Sequence, residues 1–458
     1  MTGFRCYFVP IRSFCIFAKA KESDLKEKRR HWKKVCLFGN FGQINFGNES
    51  TLQAILYHLR RHLPDVKITC ICTDPTATAA AHSVDAVSIN GIFVKPAWLR
   101  GHPLARFLRK VIIGIPSELY RWLGAIRTLK GVDMLIVSGT GLLTDANGLF
   151  NWGPYNLFKW SLIAKLCGCK LLFVSVGAGP IYRPVGRCFV KLALSLADFR
   201  SYRDNTTMEY LTSLGFSTSK DSVYPDLAFS LPEPVIAHGD IQERRRPVVG
   251  VGLMQYAGML SVDRPSHAIY LGYLENLVIF VKWLLSQEYD VRLLIGDISD
   301  RPVTQEFKGL LRERSVIYDE GRIIDEPICS VEHLLSQLAA TDIVIATRFH
   351  NALLALLLNK PVISLSFHQK CVSLMNDMGL PEYCEDINHL TSERLIKKFS
   401  NLEKNAEKLK PLIKQKTEQF RRALDEQYHI IFNEFFGSVT SPRAWRKTPT
   451  TNATDLSS

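Results

Sequence analysis

Short apolar runs alternate along the chain with longer segments in which apolar residues return at helical spacing. The run Ile343–Ala346 is an example: it is rich in branched residues, and an apolar helical segment over 352–358 follows it. Such runs are typical of strands that are buried on both faces of a parallel sheet. Because strands and helices alternate in both halves of the chain, the pattern predicts an α/β fold of two Rossmann-like domains whose parallel sheets face a cleft.

Changes in composition along the chain predict its domain boundaries. Residues 74–131 lack clear periodicity and are predicted as an irregular excursion near the acceptor site, and Pro411 interrupts the C-terminal helical pattern. The predicted segments are a disordered basic leader over 1–34, an N-terminal domain over 35–237, a polar linker over 238–247, a C-terminal domain over 248–390, helices packing across both domains over 391–437, and a disordered tail over 438–458.

The chain of 458 residues has a formal net charge of +13, which favours a negatively charged partner. Nucleic acid is not expected, because much of the excess charge lies in the two tails and no nucleic-acid-binding motif is present. The eleven cysteines are scattered and lack the spacing of a zinc site, so they are interpreted as free thiols in a reducing compartment.

No run of about 18 apolar residues is recognised, so a transmembrane helix is not expected. The apolar segment Cys6–Ala18 is interrupted by Pro10 and Arg12, which favours an unstructured leader over a signal peptide. The protein is therefore predicted to be cytoplasmic, with peripheral contact at the inner membrane face through its basic segments.

Two stretches carry candidate chemistry. Arg348 and His350 follow a predicted strand and precede a predicted helix, a position at which open α/β sheets bind ligands and helix N-termini favour anions. A glycine-rich loop, Gly39–Asn48, follows the first strand and offers backbone N–H groups to an anion. The first pattern is explained equally well by a surface arginine beside a histidine packed in the core. The second is explained equally well by a tight turn that binds no ligand.

Several ordered motifs resemble those of the polysaccharide pyruvyl transferase family, over roughly residues 35–390. They are Gly42-x-x-Asn45-x-Gly47-Asn48-Glu49, Ser138-Gly-Thr-Gly-Leu-Leu-x-Asp145, Ser175-Val-Gly-Ala-Gly-Pro180, Tyr202-Arg203-Asp204, Pro225-Asp226-x-Ala-Phe229, Thr347-Arg348-Phe349-His350, Pro361-Val-Ile and Ser366-Phe-His-Gln-Lys370.

The resemblance implies a GT-B-like arrangement of the two domains and the transfer of a pyruvyl group from phosphoenolpyruvate to a sugar of a polysaccharide or of its lipid-linked precursor, forming a ketal. It also implies that Arg203, Arg348 and His350 hold the phosphoenolpyruvate. No cofactor is expected beyond this donor substrate, and no metal is required, because the cations supply the charge stabilisation.

The same chemistry suggests roles for further residues. His350 is the candidate acid or base, with plain phosphate binding as the alternative. Lys370 either steadies the departing phosphate or is a solvated lysine at a helix start. Asp204 and Asp226 are expected to orient Arg203, and Asp145 is a weaker candidate for the acceptor base.

The first loop supplies acceptor candidates and one departure from the family pattern. Asn45, Gly47, Asn48 and Glu49 are the candidates, and Asn48 stands where the family usually has an acid. This departure leaves acceptor choice, or activity itself, open. Two other functions therefore stay open at this point: a GT-B-type glycosyltransferase that uses a nucleotide sugar, and a non-catalytic relative that binds a glycan or an anion.

Overall fold

The computed structural model describes residues 34–42, 45–91, 114–145, 153–232, 246–255, 266–319 and 321–436. The predicted leader up to residue 33, most of the predicted linker and the predicted tail lie outside the described residues.

The described strands form two sheets in which every neighbouring pair is parallel. The N-terminal sheet has the order β3-β2-β1-β4-β5-β6-β7. Its strands are β1 Lys34–Phe38, β2 Lys67–Cys72, β3 Asp85–Ser88, β4 Met134–Ser138, β5 Lys170–Val176, β6 Phe199–Tyr202 and β7 Ser222–Val223.

The C-terminal sheet has the order β10-β9-β8-β11-β12-β13. Its strands are β8 Val248–Leu253, β9 Asp290–Ile295, β10 Ile323–Ile324, β11 Ile343–Ala346, β12 Val362–Ser366 and β13 Cys384–Asp386. Every residue of β4, β8, β11 and β12 is buried, as expected for the central strands of a sheet with helices on both faces. The two Rossmann-like domains predicted from the sequence are confirmed.

Helices connect the strands in both domains. In the N-terminal domain they are α1 Phe46–His62, α2 Pro75–His82, α3 Ile115–Leu129, α4 Gly153–Leu166, α5 Pro184–Ser195 and α6 Asn205–Ser213. In the C-terminal domain they are α7 Ser266–Ser286, α8 Arg301–Glu313, α9 Val331–Ala339, α10 Phe349–Leu357 and α11 Gln369–Asp377, followed by α12 Ser392–Phe436. Short 3₁₀ turns occupy Leu227–Ser230, Ile298–Asp300, Pro381–Tyr383 and Ile387–His389.

The prediction of an irregular excursion over 74–131 is wrong for its described part, which contains α2, β3 and α3. Asp74 caps α2 by accepting a hydrogen bond from the Ala77 N–H, and Pro75 opens the helix. Asp followed by Pro is a helix-start signal. It was missed because α2 has little apolar periodicity. Residues 92–113 lie outside the described part.

The C-terminal segment is one helix, α12, rather than helices separated at Pro411. Thr417 on α12 contacts the backbone of Leu356 in the C-terminal domain. Further along, Gln427 is fully buried and hydrogen-bonds Ser175 and Ser201 in the N-terminal domain. Packing against both domains offsets the stability that is lost with the backbone hydrogen bond that Pro411 removes. Helix α12 therefore crosses from one domain to the other without a break.

Helix α7 is one of the helices that the alternating pattern predicts, over residues 268–286. By length and composition it could cross a membrane, although half of that segment is buried inside the fold. Glu275 and Lys282 interrupt its run of apolar residues, which is why no uninterrupted stretch of about 18 was recognised in the sequence. Its buried residues, including Tyr273, Leu277 and Val281, belong to the core that α12 and the second sheet share.

Candidate functional site

The two domains meet where the loop before α1 contacts the loop after β9. Asn45 donates a hydrogen bond from Nδ2 to Asp297 Oδ2 at 2.9 Å, and the Phe46 N–H donates to the Gly296 carbonyl at 3.2 Å. Asn45 is also the N-cap of α1, because its side-chain oxygen accepts from the backbone N–H groups of Gly47 and Asn48. One residue thus starts the helix and holds it against the other domain.

His350, near the start of α10, packs directly against the N-terminus of α1. A Cβ atom on Gly47 would lie 1.8 Å from His350 Nδ1, so this contact requires glycine. On the other side of the ring, Nε2 lies 3.7 Å from Asp226 Oδ2, and neither atom has a hydrogen-bond partner among the described residues. Burial lowers the pKa of His350, and the nearby Asp226 carboxylate offsets this only in part. The imidazole is therefore neutral near pH 7.

Arg203 follows β6 and approaches the same carboxylate from the N-terminal domain. Its Nη1 lies 3.6 Å from Asp226 Oδ2, and its Nε lies 3.4 Å from Asp204 Oδ2. A Cβ atom on Gly177 would lie 2.5 Å from Nη2, so glycine is needed here as well. Burial alone would raise the pKa of Asp226, but His350 and Arg203 outweigh it and lower that pKa, which keeps the buried carboxylate ionised.

Two cations lie over the ring of Phe349. The guanidinium carbon of Arg203 is 5.0 Å from the centre of the Phe349 ring, and Lys370 Nζ is 5.6 Å from it. Lys370 also lies 5.8 Å from the Phe367 ring, and none of the described residues accepts a hydrogen bond from its Nζ. Burial, reinforced by Arg203 and Arg348, lowers the pKa of Lys370 to about 8. A half-buried ammonium without a hydrogen-bond acceptor among the described residues can bind an anion.

Arg203, Asp226, Phe349 and Lys370 border a cavity of about 570 Å³ between the two domains and α12, and His350 lies behind this wall, against Asp226. Its walls combine cations and apolar rings with the carboxylates of Asp204, Asp226 and Asp377, which suits a small, polar organic ligand. The lining residues that matter here are Arg203, Lys370 and Lys416 as cations, and Phe229, Phe349 and Phe420 as rings.

Arg348, the N-cap residue of α10, forms an ion pair within its own domain. Its Nε and Nη2 donate to the two carboxylate oxygens of Asp300 at 2.8 and 2.7 Å. Asp300 is 0% exposed and also accepts from the Gln255 N–H, and it raises the pKa of Arg348 against the effect of burial. Arg348 is not part of the cavity lining, and a ligand would reach it only through the donors that Asp300 leaves free.

The remaining predicted residues hold local structure. Asn48 donates to the Asn40 carbonyl. Glu49 accepts from the Gly42 N–H and from His82 Nε2. Asp145 accepts from the N–H groups of Tyr182 and Arg183 ahead of α5. The structure thus brings together Arg203, Asp226, His350, Lys370 and Gly47, and places Asn48, Glu49 and Asp145 in other hydrogen bonds.

Two members of the site were missed by the sequence analysis, Phe349 and Asp300. Phe349 lies inside the Thr347–His350 motif, so its place in the sequence between Arg348 and His350 was the signal that could have identified it. Asp300 follows β9, where polar residues at a strand end are candidates for a site.

The fold is that of the GT-B glycosyltransferases and related epimerases. A glycosyltransferase from Rickettsia africae is 12% identical and matches with a TM-score of 0.53, covering 88% of this chain and 100% of that one. MnaA of S. aureus, in a structure with UDP, is 12% identical with a TM-score of 0.55, covering 90% of this chain and 99% of that one.

The family is shown by sequence. The model of the polysaccharide pyruvyl transferase family matches residues 45–369, and the chain belongs to this family. It is also similar to the amylovoran biosynthesis protein AmsJ of Erwinia amylovora, with 21% identity over 416 residues, 85% of this chain and 96% of AmsJ. The resemblance inferred from the motifs is thereby confirmed.

Proposed function

We propose that this protein transfers a pyruvyl group from phosphoenolpyruvate to two hydroxyl groups of a sugar and leaves a pyruvate ketal. Membership of the pyruvyl transferase family supports the reaction class. The observation that carries the proposal is the group formed by Arg203, Asp226, His350 and Lys370, to which both domains contribute.

Donor binding rests on charge. Phosphoenolpyruvate has a phosphate and a carboxylate at neutral pH, and guanidinium groups bind both kinds of anion through paired hydrogen bonds. Arg203 and Lys370 approach the cavity from opposite domains, and both lie over the Phe349 ring. The two anionic groups of the donor would engage these two cations, and Arg348 would supply a further N–H from beside the helix start.

The chemistry requires a mobile proton. Protonation of the donor's methylene carbon makes the neighbouring carbon electrophilic, one sugar hydroxyl adds to it, phosphate leaves, and a second hydroxyl closes the ring. Neutral His350 is suited to accept a hydroxyl proton, and Asp226 at 3.7 Å would stabilise the imidazolium that forms. Closing the ketal releases a proton from each of the two hydroxyls: one replaces the proton that the methylene carbon takes up from solvent, and the other leaves with the phosphate. No cofactor enters this scheme.

The acceptor and the compartment complete the proposal. The name of AmsJ supports a role in exopolysaccharide synthesis, with a polysaccharide or its lipid-linked precursor as acceptor. We place the reaction in the cytoplasm, where phosphoenolpyruvate is produced.

Calorimetric titration with phosphoenolpyruvate and with UDP-sugars tests the donor. We expect phosphoenolpyruvate to bind, and Lys370→Met to weaken it roughly tenfold or more, since a desolvated charge pair is lost. Lys404→Met, at an exposed lysine of α12, is the matched control and should bind like the parent. Tight binding of a UDP-sugar without binding of phosphoenolpyruvate would support the glycosyltransferase instead.

A further inference from the structure

The helices on one face of the N-terminal sheet leave apolar side chains in solvent. α3, α4 and α5 cover this face through a core of their own, whereas α1 and α12 pack on the core shared with the C-terminal domain. The outer surface of α3 and α5 therefore faces away from the core that joins the domains.

Helix α3 exposes most of its large apolar residues. Ala125 and Leu129 are its buried residues, while the apolar positions i, i+4, i+8 and i+11 form one exposed stripe. A helix of a water-soluble domain normally turns such a stripe to the core. The exposed residues, between 39% and 63% accessible, are Ile115, Leu119, Tyr120, Leu123 and Ile126.

Helix α5 also exposes apolar residues. Tyr182, just before the helix, and Val185 on it are 60% and 63% exposed, and Leu192 lies two turns further on. α4 packs against both helices: Trp122 of α3 donates from Nε1 to the Tyr155 hydroxyl of α4, and Phe189 of α5 contacts the rings of Tyr155 and Phe158 of α4.

Charges on the same helices are almost all positive. α3 carries Arg121 and Arg127 and α5 carries Arg187 and Lys191, and α5 has no acidic residue. The acid on α3, Glu118, is used inside the fold, where it binds Lys159 at 3.0 Å, Arg121 and the Tyr155 hydroxyl. No carboxylate on α3 or α5 is left to repel an anionic surface.

We propose that α3 and α5 dock this protein on a lipid bilayer that contains anionic headgroups. Exposed apolar side chains together with cations on the same helices are typical of a surface that lies in the interface of such a bilayer. Rings and aliphatic groups enter the headgroup region there, and cations meet phosphates. This docking is independent of the reaction proposed above.

Sedimentation with lipid vesicles tests the proposal. The full chain should bind vesicles of phosphatidylcholine with phosphatidylglycerol more tightly than vesicles of phosphatidylcholine alone, and binding should weaken as salt rises. The double variant Leu119→Ser/Leu123→Ser should lower the partition coefficient at least about tenfold, because two apolar side chains no longer enter the bilayer. Ile317→Ser, at a 93% exposed residue of the C-terminal domain, is the matched control and should bind like the parent.

Two further results would overturn it. Equal vesicle binding by the double variant and the parent would place the contact elsewhere on the chain. A parent that self-associates in solution, with the double variant monomeric and vesicle binding absent from both, would assign the surface to a second copy of this chain. Hydrogen exchange supports the proposal if α3 and α5 become protected only when vesicles are added.

Discussion

His350 Nε2 lies 3.7 Å from Asp226 Oδ2, and the two residues belong to different domains. The pair exists because α12 and the contact between Asn45 and Asp297 hold the domains together. A neutral imidazole beside an ionised carboxylate can gain a proton and have its charge stabilised. The site's proton chemistry therefore depends on the arrangement of the domains as well as on the residues themselves.

Substituting Gly47 tests whether the placement of His350 matters. In Gly47→Ala the new methyl group would meet the imidazole ring, so His350 must move and turnover should fall roughly 100-fold. Gly309→Ala is the matched control: this helical glycine has open space around it, and the change should keep activity and stabilise the fold by about 0.5–1 kcal/mol. Steady-state kinetics and thermal unfolding on both variants measure this. Unchanged turnover in Gly47→Ala would remove His350 from the mechanism.

The pH dependence of turnover tests the protonation state of His350. Burial lowers its pKa below 6.5, so the neutral base persists at pH 6.5 and activity should be lost only as the pH falls further. Stability follows the same sign: the unfolded chain binds this proton more readily, so the contribution is full above pH 6.5 and declines as pH falls through the lowered pKa. Asp226, whose pKa is also lowered, adds its own loss only near and below pH 3.8.

His350→Gln separates proton transfer from phosphate binding. If the imidazole transfers a proton, turnover should fall roughly 100- to 10,000-fold while phosphoenolpyruvate affinity changes little. Calorimetry and kinetics on the same sample give both values. Appreciable turnover in this variant would instead assign His350 to phosphate binding.

The alkaline side of the pH profile tests Lys370. Its pKa of about 8 means that the ammonium group loses its proton just above neutral pH, so kcat/KM for phosphoenolpyruvate should fall above about pH 8. Lys370→Arg should move this loss to a higher pH, because the guanidinium keeps its charge. If kcat/KM still falls above about pH 8 in Lys370→Arg, a group other than Lys370 titrates in that range.

Parts of this site follow from sequence rules. Arg203, His350 and Lys370 all come directly after a strand or at the start of a helix, and the carboxyl ends of parallel strands meet at one edge of a sheet. The convergence of His350 and Lys370 was therefore predictable once the alternation of strands and helices was recognised, whereas Arg203 joins them only because the two sheets face each other. The apolar runs of β4, β8 and β11 predicted those strands, because strands that are buried on both faces of a parallel sheet consist almost entirely of apolar residues.

The other parts depend on packing between distant segments. The pairing of Arg348 with Asp300 needs the order of β9, β8 and β11, which local periodicity does not contain. From the motif alone, the carboxylate of Glu49 was a candidate for binding an acceptor, but in the structure it accepts a hydrogen bond from His82 on α2. Since α2 itself was not predicted, neither was its contact.

Arg348→Ala separates the structural role of this residue from donor binding. Removing the guanidinium leaves the carboxylate of Asp300 buried without its ion partner, which costs about 3–5 kcal/mol of stability. Phosphoenolpyruvate affinity of the folded protein should also fall, and Arg348→Lys should restore only part of it, since a point charge does not reproduce the planar fork. Thermal unfolding and calorimetry report the two effects separately. Unchanged donor affinity would restrict Arg348 to holding Asp300.

The central claim is pyruvyl transfer from phosphoenolpyruvate at His350, and mass spectrometry of the product tests it most directly. The protein is incubated with carbon-13-labelled phosphoenolpyruvate and a glycan pool from the organism that makes it, and His350→Ala and Gly309→Ala are run in parallel. We predict a glycan that gains the mass of one labelled pyruvate less one water, with one phosphate released for each ketal, in the parent and in Gly309→Ala, and strongly reduced in His350→Ala. A glycan pool that stays unlabelled with the folded parent, or equal labelling with His350→Ala, would contradict the account.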